Sequence, residues 1–136
     1  MRYLKERLAG FGYAFEGIFE VMQSQANFKI HLFAAFIAIA GGFYFTISTL
    51  EWCLIVGSIA LVLSAETFNT AIEHLTDLAS PEYHILAKKA KDAAAGAVLL
   101  IAIGVAIIGV IIFLPKSIFC KMLMYFCKFI YNHQGM

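Results

Sequence analysis

The chain has 136 residues, of which 62% are hydrophobic and 14% are charged, and its mean hydropathy is +0.83. Because an ordinary soluble domain is only about 45–50% apolar, this composition argues against a soluble globular protein. The formal net charge of +1 leaves no Lys/Arg excess for phosphate backbones, so we expect no nucleic acid partner. At about 20 residues per membrane span, the length allows three spans and excludes a separate extramembrane catalytic domain.

The first predicted element is an amphipathic helix over residues 4–24. Its apolar side chains recur at steps of three and four, as on one helical face, and charged side chains occupy the other face. We expect this helix to lie at the membrane surface. Since charges interrupt every apolar run in residues 1–25, we expect no signal peptide and a mature chain that begins at Met1.

Three membrane spans are predicted over about residues 30–50, 52–72 and 93–114. A turn is predicted at Glu51. Apart from a histidine in the first span, the apolar runs are interrupted only in the second span, by Glu66. This interruption is the most informative feature of the sequence.

Two local signals refine these spans. The adjacent Gly41 and Gly42 permit close approach of the first span to its neighbours. Residues 73–92 are polar, and Ser80 and Pro81 predict a break between the second and third helices.

Lysine and arginine are concentrated before the first span and in residues 73–92, whereas the turn at Glu51 has none. By the positive-inside rule, the N-terminus and the polar segment face the cytoplasm. Residues 1–116 then form one membrane domain. Residues 117–136 form a C-terminal tail, which we interpret as an interfacial helix.

Five polar side chains, which run from inside the second span into the following polar segment, fall on one helical face at offsets of 0, 3, 4, 7 and 11 residues. This polar ladder consists of Glu66, Asn69, Thr70, Glu73 and Asp77. An ionisable residue inside a span costs at least about 2.5–3.5 kcal/mol on insertion scales, so one that is retained indicates a function. The alternative for Glu66 is a carboxyl group kept neutral, or hydrogen-bonded to another helix.

The polar side chains also predict a cation and a phosphate ligand. Oxygen ligands on a helix face suit Mg²⁺, which is typically shared between one or two carboxylates and substrate phosphates, and Glu73 is placed for this role. The following segment brings further donors, acceptors and a cation to the same edge, in Glu82, His84, Lys91 and Asp92. Without the polar ladder, the composition of this segment is more typical of a solvated loop. Soluble nucleotide-binding motifs are absent from the sequence, so an ATP site here would be unrelated to them.

Several motifs resemble the bacterial diacylglycerol kinase and undecaprenol kinase family of small integral-membrane lipid kinases. They are AETFNTAIE at residues 65–73, Asp77, PEYH at 81–84, AKKAKD at 87–92, and upstream GYAFEG at 12–17 and NFKIH at 27–31. The resemblance covers residues 4–114 and excludes the tail.

This resemblance implies an all-α integral membrane protein with an N-terminal amphipathic surface helix and three spans. It implies a homotrimer with active sites between subunits at the cytoplasmic face of the bacterial inner membrane. The implied reaction transfers the γ-phosphate of ATP, with Mg²⁺, to a primary hydroxyl of undecaprenol or diacylglycerol. By motif position, Glu66 is expected to be the general base and Glu73 a metal ligand. The residues expected to contact the nucleotide are Tyr13, Glu73, Glu82, His84, Lys91 and Asp92. Asn69 and Asp77 are expected to support them.

The sequence departs from the family pattern near the end of the surface helix. Where the family usually has a second metal-binding glutamate, this chain has Gln25. An amide oxygen can still bind Mg²⁺, but it brings one negative charge fewer. Arg7 is an approximate match to an N-terminal arginine of some members, and the NFKIH segment resembles the undecaprenol kinase branch.

Two other functions remain open from the residues alone. A small oligomeric transport protein would use Glu66 as a proton or cation relay, but this leaves Glu82, His84, Lys91 and Asp92 without a role. A non-catalytic membrane subunit would use the polar ladder only for hydrogen bonds between helices.

Overall fold

The structure, a computed structural model, describes residues 2–133, with side chains described for residues 7–119 and 121–124. Its four elements are all helices: α1 (Arg2–Ser24), α2 (Ala26–Tyr44), α3 (Thr49–Ala79) and α4 (Ile85–His133). By length and composition, three stretches are able to cross a membrane, namely Ala26–Tyr44, Thr49–Ala79 and Ile85–Met124. The predicted all-α class with three spans is confirmed.

The first turn lies at residues 45–48, so the prediction of a turn at Glu51 is wrong. Helix α2 ends with Ile47 N–H donating to the Gly42 carbonyl at 3.1 Å, and the intervening Thr46 has a positive φ of 51°. This is a Schellman ending, in which a left-handed residue closes the last turn. Glu51 instead belongs to the first turn of α3, where its carboxylate accepts from Ser48 N–H at 2.7 Å. The motif is a capping box, which fixes where α3 begins.

The glycine pair brings α2 against both other spans, as predicted. A Cβ atom on Gly42 would lie 2.7 Å from the Trp52 ring of α3, and one on Gly41 would lie 3.2 Å from Phe113 of α4. Since real Cβ atoms do not approach a ring as closely as 2.7 Å, Gly42 is required by this packing. The end of the bundle at residues 45–48 is therefore tightly closed.

Helix α4 continues through Pro115, so the tail is continuous with the third span within the described residues. Proline is tolerated in membrane helices where neighbouring groups compensate for the lost hydrogen bond. Here Lys116 Nζ lies 2.7 Å from Glu51 Oε1, and the Phe113 and Phe45 rings are 6.1 Å apart. These contacts hold the stretch around Pro115 to α3 and to the first turn. The interfacial position of residues 117–136 stays a prediction, and residues 134–136 lie outside the described part.

The second connection, residues 80–84, separates α3 from α4 at the predicted Ser80 and Pro81 break. The helices extend beyond the predicted spans on this side, since α3 runs to Ala79 and α4 begins at Ile85.

The single chain buries little of its apolar surface. In the most apolar window of each candidate span, at most 22% of the residues are buried. Within residues 7–24 of α1, Val21 alone is buried. The remaining apolar surface requires lipid or further protein to cover it.

Candidate functional site

The polar ladder follows one face of α3, and its burial decreases toward residues 80–84. Glu66 and Thr70 are only 2% and 1% exposed, and Asn69 is 7% exposed. Glu73 is half-buried and Asp77 is exposed. The ladder therefore leads from the buried interior to the exposed end of the bundle at residues 80–84.

Glu66 is the one carboxylate buried among residues 7–119 and 121–124. The Thr70 hydroxyl donates to its backbone carbonyl at 3.0 Å, which occupies that hydroxyl with the helix itself. Among the described residues, no side chain hydrogen-bonds or ion-pairs with the Glu66 carboxylate. A buried carboxylate without such a partner is costly, as expected of a group kept for chemistry.

Asn69 and Glu73 form a polar pair one turn further along. The Asn69 amide donates to Glu73 Oε1 at 2.9 Å, which orients the carboxylate. The side-chain oxygen of Asn69, Oδ1, is buried and has no hydrogen-bond partner within the described residues. An unsatisfied buried oxygen beside an oriented carboxylate offers two ligands to a cation or a donor from outside this chain.

A groove of about 390 Å³ lies where α3 turns into α4. It brings together five of the residues predicted from sequence, namely Asp77, Glu82, His84, Lys91 and Asp92. Glu66, Glu73, Tyr13 and Gln25 do not line it. Within one chain, the predicted site is thus divided between this groove and the buried part of the ladder.

Charge pairs cross and border this groove. Lys91 Nζ lies 2.5 Å from Asp77 Oδ1, which joins α4 to the exposed end of the ladder. Lys88 pairs with Asp92 in the same way, at 2.5 Å. Because exposed ion pairs are weak, a phosphate can compete with the carboxylates for either lysine. Sequence reasoning gave Lys88 no role, although its spacing of four residues from Asp92 was a signal.

His84 has a local role at the start of α4. Its Nδ1 accepts a hydrogen bond from Leu86 N–H at 3.2 Å, which satisfies one of the first amides of the helix. The neutral imidazole therefore has its donor on Nε2. That nitrogen remains able to donate to a ligand in the groove.

The predicted residues on the N-terminal side lie apart from this groove. Tyr13 is 71% exposed on α1. Gln25 is the N-cap of α2, and its half-buried side chain makes no capping hydrogen bond. Arg7 is exposed on α1. Among residues 7–119 and 121–124, no three His, Cys, Asp or Glu side chains are grouped to hold a metal ion.

Comparison with known proteins places these features in one family. The sequence profile of prokaryotic diacylglycerol kinases matches residues 12–113, about three quarters of the chain. The chain belongs to this family. The match contains the polar ladder and the groove, and it ends before Lys116 and the tail.

Individual members support the assignment. The chain is 46% identical to undecaprenol kinase of Bacillus subtilis over 106 residues, which are 78% of this chain and 86% of that protein. It is 38% identical to diacylglycerol kinase of Synechocystis over 79% of this chain and 62% of that protein. It is 34% identical to diacylglycerol kinase of Escherichia coli K12, over 71% of this chain and 79% of that protein.

Membership of the diacylglycerol kinase family, together with three apolar helices, makes this chain a lipid kinase of the membrane. Both the family and the lipid kinase activity were predicted from the sequence motifs and are confirmed. The transport alternative is not favoured. Kinases transfer phosphate from a nucleotide, so a nucleotide and a lipid are the two reactants.

Proposed function

We propose that the chain transfers the γ-phosphate of ATP to the primary hydroxyl of undecaprenol or diacylglycerol, at the cytoplasmic face of the bacterial inner membrane. The observation that carries this proposal is the buried Glu66, which lies on the same face of α3 as a ladder leading to a charged groove. The higher identity to a protein named undecaprenol kinase, 46% against 34%, favours undecaprenol as the acceptor.

In this proposal, Glu66 is the general base. The lipid oxygen attacks the γ-phosphorus, the bond from that phosphorus to the β–γ bridging oxygen breaks, and the hydroxyl proton passes to the Glu66 carboxylate. The products are the phosphorylated lipid and ADP. The acceptor hydroxyl approaches from the membrane, and Glu66 is the carboxylate that lies deep enough in the described chain to receive its proton.

The groove binds the nucleotide. Lys91, oriented by Asp77, and Lys88, beside Asp92, supply the positive charge that phosphate oxygens require. The Nε2 atom of His84 and the Glu82 carboxylate take polar contacts to the remainder of the nucleotide, and Tyr13 lies near it. Such positioning and charge neutralisation are most of what phosphoryl transfer needs from a protein.

The donor set fits one Mg²⁺ ion that is shared with the phosphates. The Glu73 carboxylate and the unsatisfied side-chain oxygen of Asn69 are hard oxygen ligands, one helical turn apart on α3. The amide oxygen of Gln25 would be a third ligand. Bound there, Mg²⁺ would neutralise the phosphate charge that develops during transfer. Asn69 holds Glu73 in place for this role through its amide hydrogen bond.

The active unit is a homotrimer with shared sites, and its N-terminus is cytoplasmic. Most of the apolar surface of one chain is uncovered, and the groove contains neither Tyr13 of α1, expected at the nucleotide, nor Gln25 at the start of α2, expected at the metal. A neighbouring subunit that supplies α1 would complete the site and cover apolar surface at the same time. Helix α1 then lies at the membrane surface.

The proposed reaction is tested with purified protein in mixed micelles that contain undecaprenol, a diacylglycerol or neither. We expect transfer of label from γ-labelled ATP to the extracted lipid, with dependence on Mg²⁺ and a higher kcat/KM for undecaprenol. Absence of label in both lipids would refute the proposal. A preference for diacylglycerol would refute only the choice of acceptor.

Gln25→Glu is expected to lower the Mg²⁺ concentration that gives half-maximal activity, because an added carboxylate beside Glu73 stabilises a divalent cation. The measurement is activity across a Mg²⁺ titration at fixed ATP, together with binding of Mn²⁺ in the presence of a non-hydrolysable ATP analogue. Gln23→Glu is the matched control, since it makes the same change of charge at an exposed position of α1. Superimposable curves for the parent and Gln25→Glu would remove Gln25 from the metal site.

A further inference from the structure

A second cavity, of about 270 Å³, lies between α2, α3 and α4 and has no role in the reaction as described so far. Residues that represent its three walls are His31, Ala35, Ser58, Val62, Ala102 and Gly109. On α3, Ser58 and Val62 precede Glu66 by eight and four residues, so they share its helical face. The cavity thus adjoins the predicted base along one side of a single helix.

The direction of the cavity follows from the helix arrangement. Lys91 and Asp77 join α4 and α3 at the groove end, whereas Lys116 and Glu51 join them at the other end. Helices α3 and α4 are therefore antiparallel, and the short turn at residues 45–48 makes α2 and α3 antiparallel as well.

The end of the cavity nearest to Glu66 is consequently the one that contains His31, Val62 and Ala102, and Gly109 lies at the far end. Val62 is one helical turn, about 6 Å along the axis, from Glu66. The cavity starts about one helical turn from Glu66 and extends along the helices away from the groove.

The walls indicate which chemistry fits this space. Alanine and glycine on α2 and α4 leave it open, and apart from His31 and Ser58 the lining is apolar. Ser58 is only 7% exposed, and its hydroxyl has no hydrogen-bond partner within the described residues. By contrast, Thr67 and Thr70 on the same helix donate to their own helix backbone. An unpaired hydroxyl on a largely covered side chain that lines an open, apolar space is available to donate to a ligand there.

We infer that this cavity holds the part of the acceptor's hydrocarbon chain that follows its primary hydroxyl. The inference rests on the proposed function, because it takes Glu66 as the group that receives the hydroxyl proton. A lipid whose hydroxyl is at Glu66 must extend its chain toward the membrane interior, and the cavity offers an apolar path that begins one turn away. His31 stands at that end of the wall, where its imidazole meets the polar end of the lipid.

The test fills the cavity from α4. Ala102→Leu and Gly109→Leu place a larger side chain on its wall, and Gly104→Leu is the control on the same helix, since Gly104 does not line the cavity. A Cβ atom at Gly104 or Gly109 meets no atom within 4 Å, so neither glycine is required for backbone packing in the chain. Initial rates are measured against the mole fraction of undecaprenol and of dioleoylglycerol, at saturating ATP and Mg²⁺.

We expect both filling variants to raise the KM for the lipid about 10-fold, the scale on which one apolar pocket contact discriminates. The KM for ATP should stay within twofold of the parent, and Gly104→Leu should leave every constant unchanged. If both filling variants keep the parental lipid KM, or if Gly104→Leu raises it equally, the inference is wrong.

A binding measurement on the parent protein tests the inference without requiring enzyme turnover or a variant that folds. A long-chain alcohol with a diazirine in its chain is photolysed with the protein in the same micelles. We expect label in residues 55–62 and 102–109, and its loss in the filling variants; label confined to other segments would overturn the inference. Phosphorylation of lipid with label elsewhere would refute the inference alone, whereas label in the cavity without phosphorylation would refute the proposed function alone.

Discussion

Glu66→Gln is expected to lower kcat at least about 100-fold, the lower range for loss of a general base. Binding of a non-hydrolysable ATP analogue should be retained, because Glu66 acts on the lipid and does not line the nucleotide groove. Glutamine has nearly the volume of glutamate and resembles its neutral form. The substitution therefore removes the base, while the amide keeps the size and the neutrality of a carboxyl group that would serve only for packing.

The matched control is Glu51→Gln, which makes the same change at the opposite end of α3. It removes the partner of Lys116 but lies far from the ladder, so kcat should stay within about twofold. Thermal unfolding in the same detergent checks that both variants are folded. If Glu66→Gln keeps more than a tenth of the parental kcat, Glu66 is a structural group and the proposed mechanism is wrong.

The helices and the ladder could be predicted from sequence because they depend on periodicity alone. The membrane sets the length of an apolar run, and helix geometry sets which polar residues share a face. Helix ends were harder to predict, since they depend on local hydrogen bonds. The apolar run reaches Leu50, but the backbone turns earlier because Ser48 and Glu51 form a capping box.

The start of α4 was equally hard to predict from hydropathy. Helix α4 begins at Ile85, well before the uncharged run, because residues outside the membrane can form helix when charges pair at a spacing of four. Lys88 and Asp92 do so. Hydropathy locates the membrane-embedded part of such a helix but carries no information about the part outside.

Apart from the close approach at Gly41 and Gly42, the contacts between helices could not be predicted from sequence. The pairing of Lys91 with Asp77 requires α3 and α4 to be antiparallel neighbours, and fourteen residues separate the two in the chain. The cavity beside Ser58 exists only because small residues of three helices meet there. Motif resemblance gave the residues expected in the site, whereas their division between the groove and the buried ladder needed the fold.

That division leads to the last prediction, which concerns sharing of sites between subunits. Glu66→Gln and Lys91→Met are each expected to be inactive, and mixed oligomers of the two should regain activity. In a cyclic trimer each site lies at a head-to-tail interface. Every mixed trimer then has one interface that receives intact Glu66 from one subunit and intact Lys91 from the next.

The two variants carry different affinity tags, are mixed in denaturing detergent, and are reassembled and purified over both tags in sequence. Such trimers should have about one third of the parental rate, because one of three interfaces is intact. Glu66→Gln mixed with Glu66→Ala is the control and should stay inactive, since every interface then lacks the base. Doubly purified oligomers without activity would show that Glu66 and Lys91 act within one chain. The groove and the buried ladder would then have to meet inside a single subunit, through a rearrangement of α3 against α4 that breaks the pairing of Lys91 with Asp77.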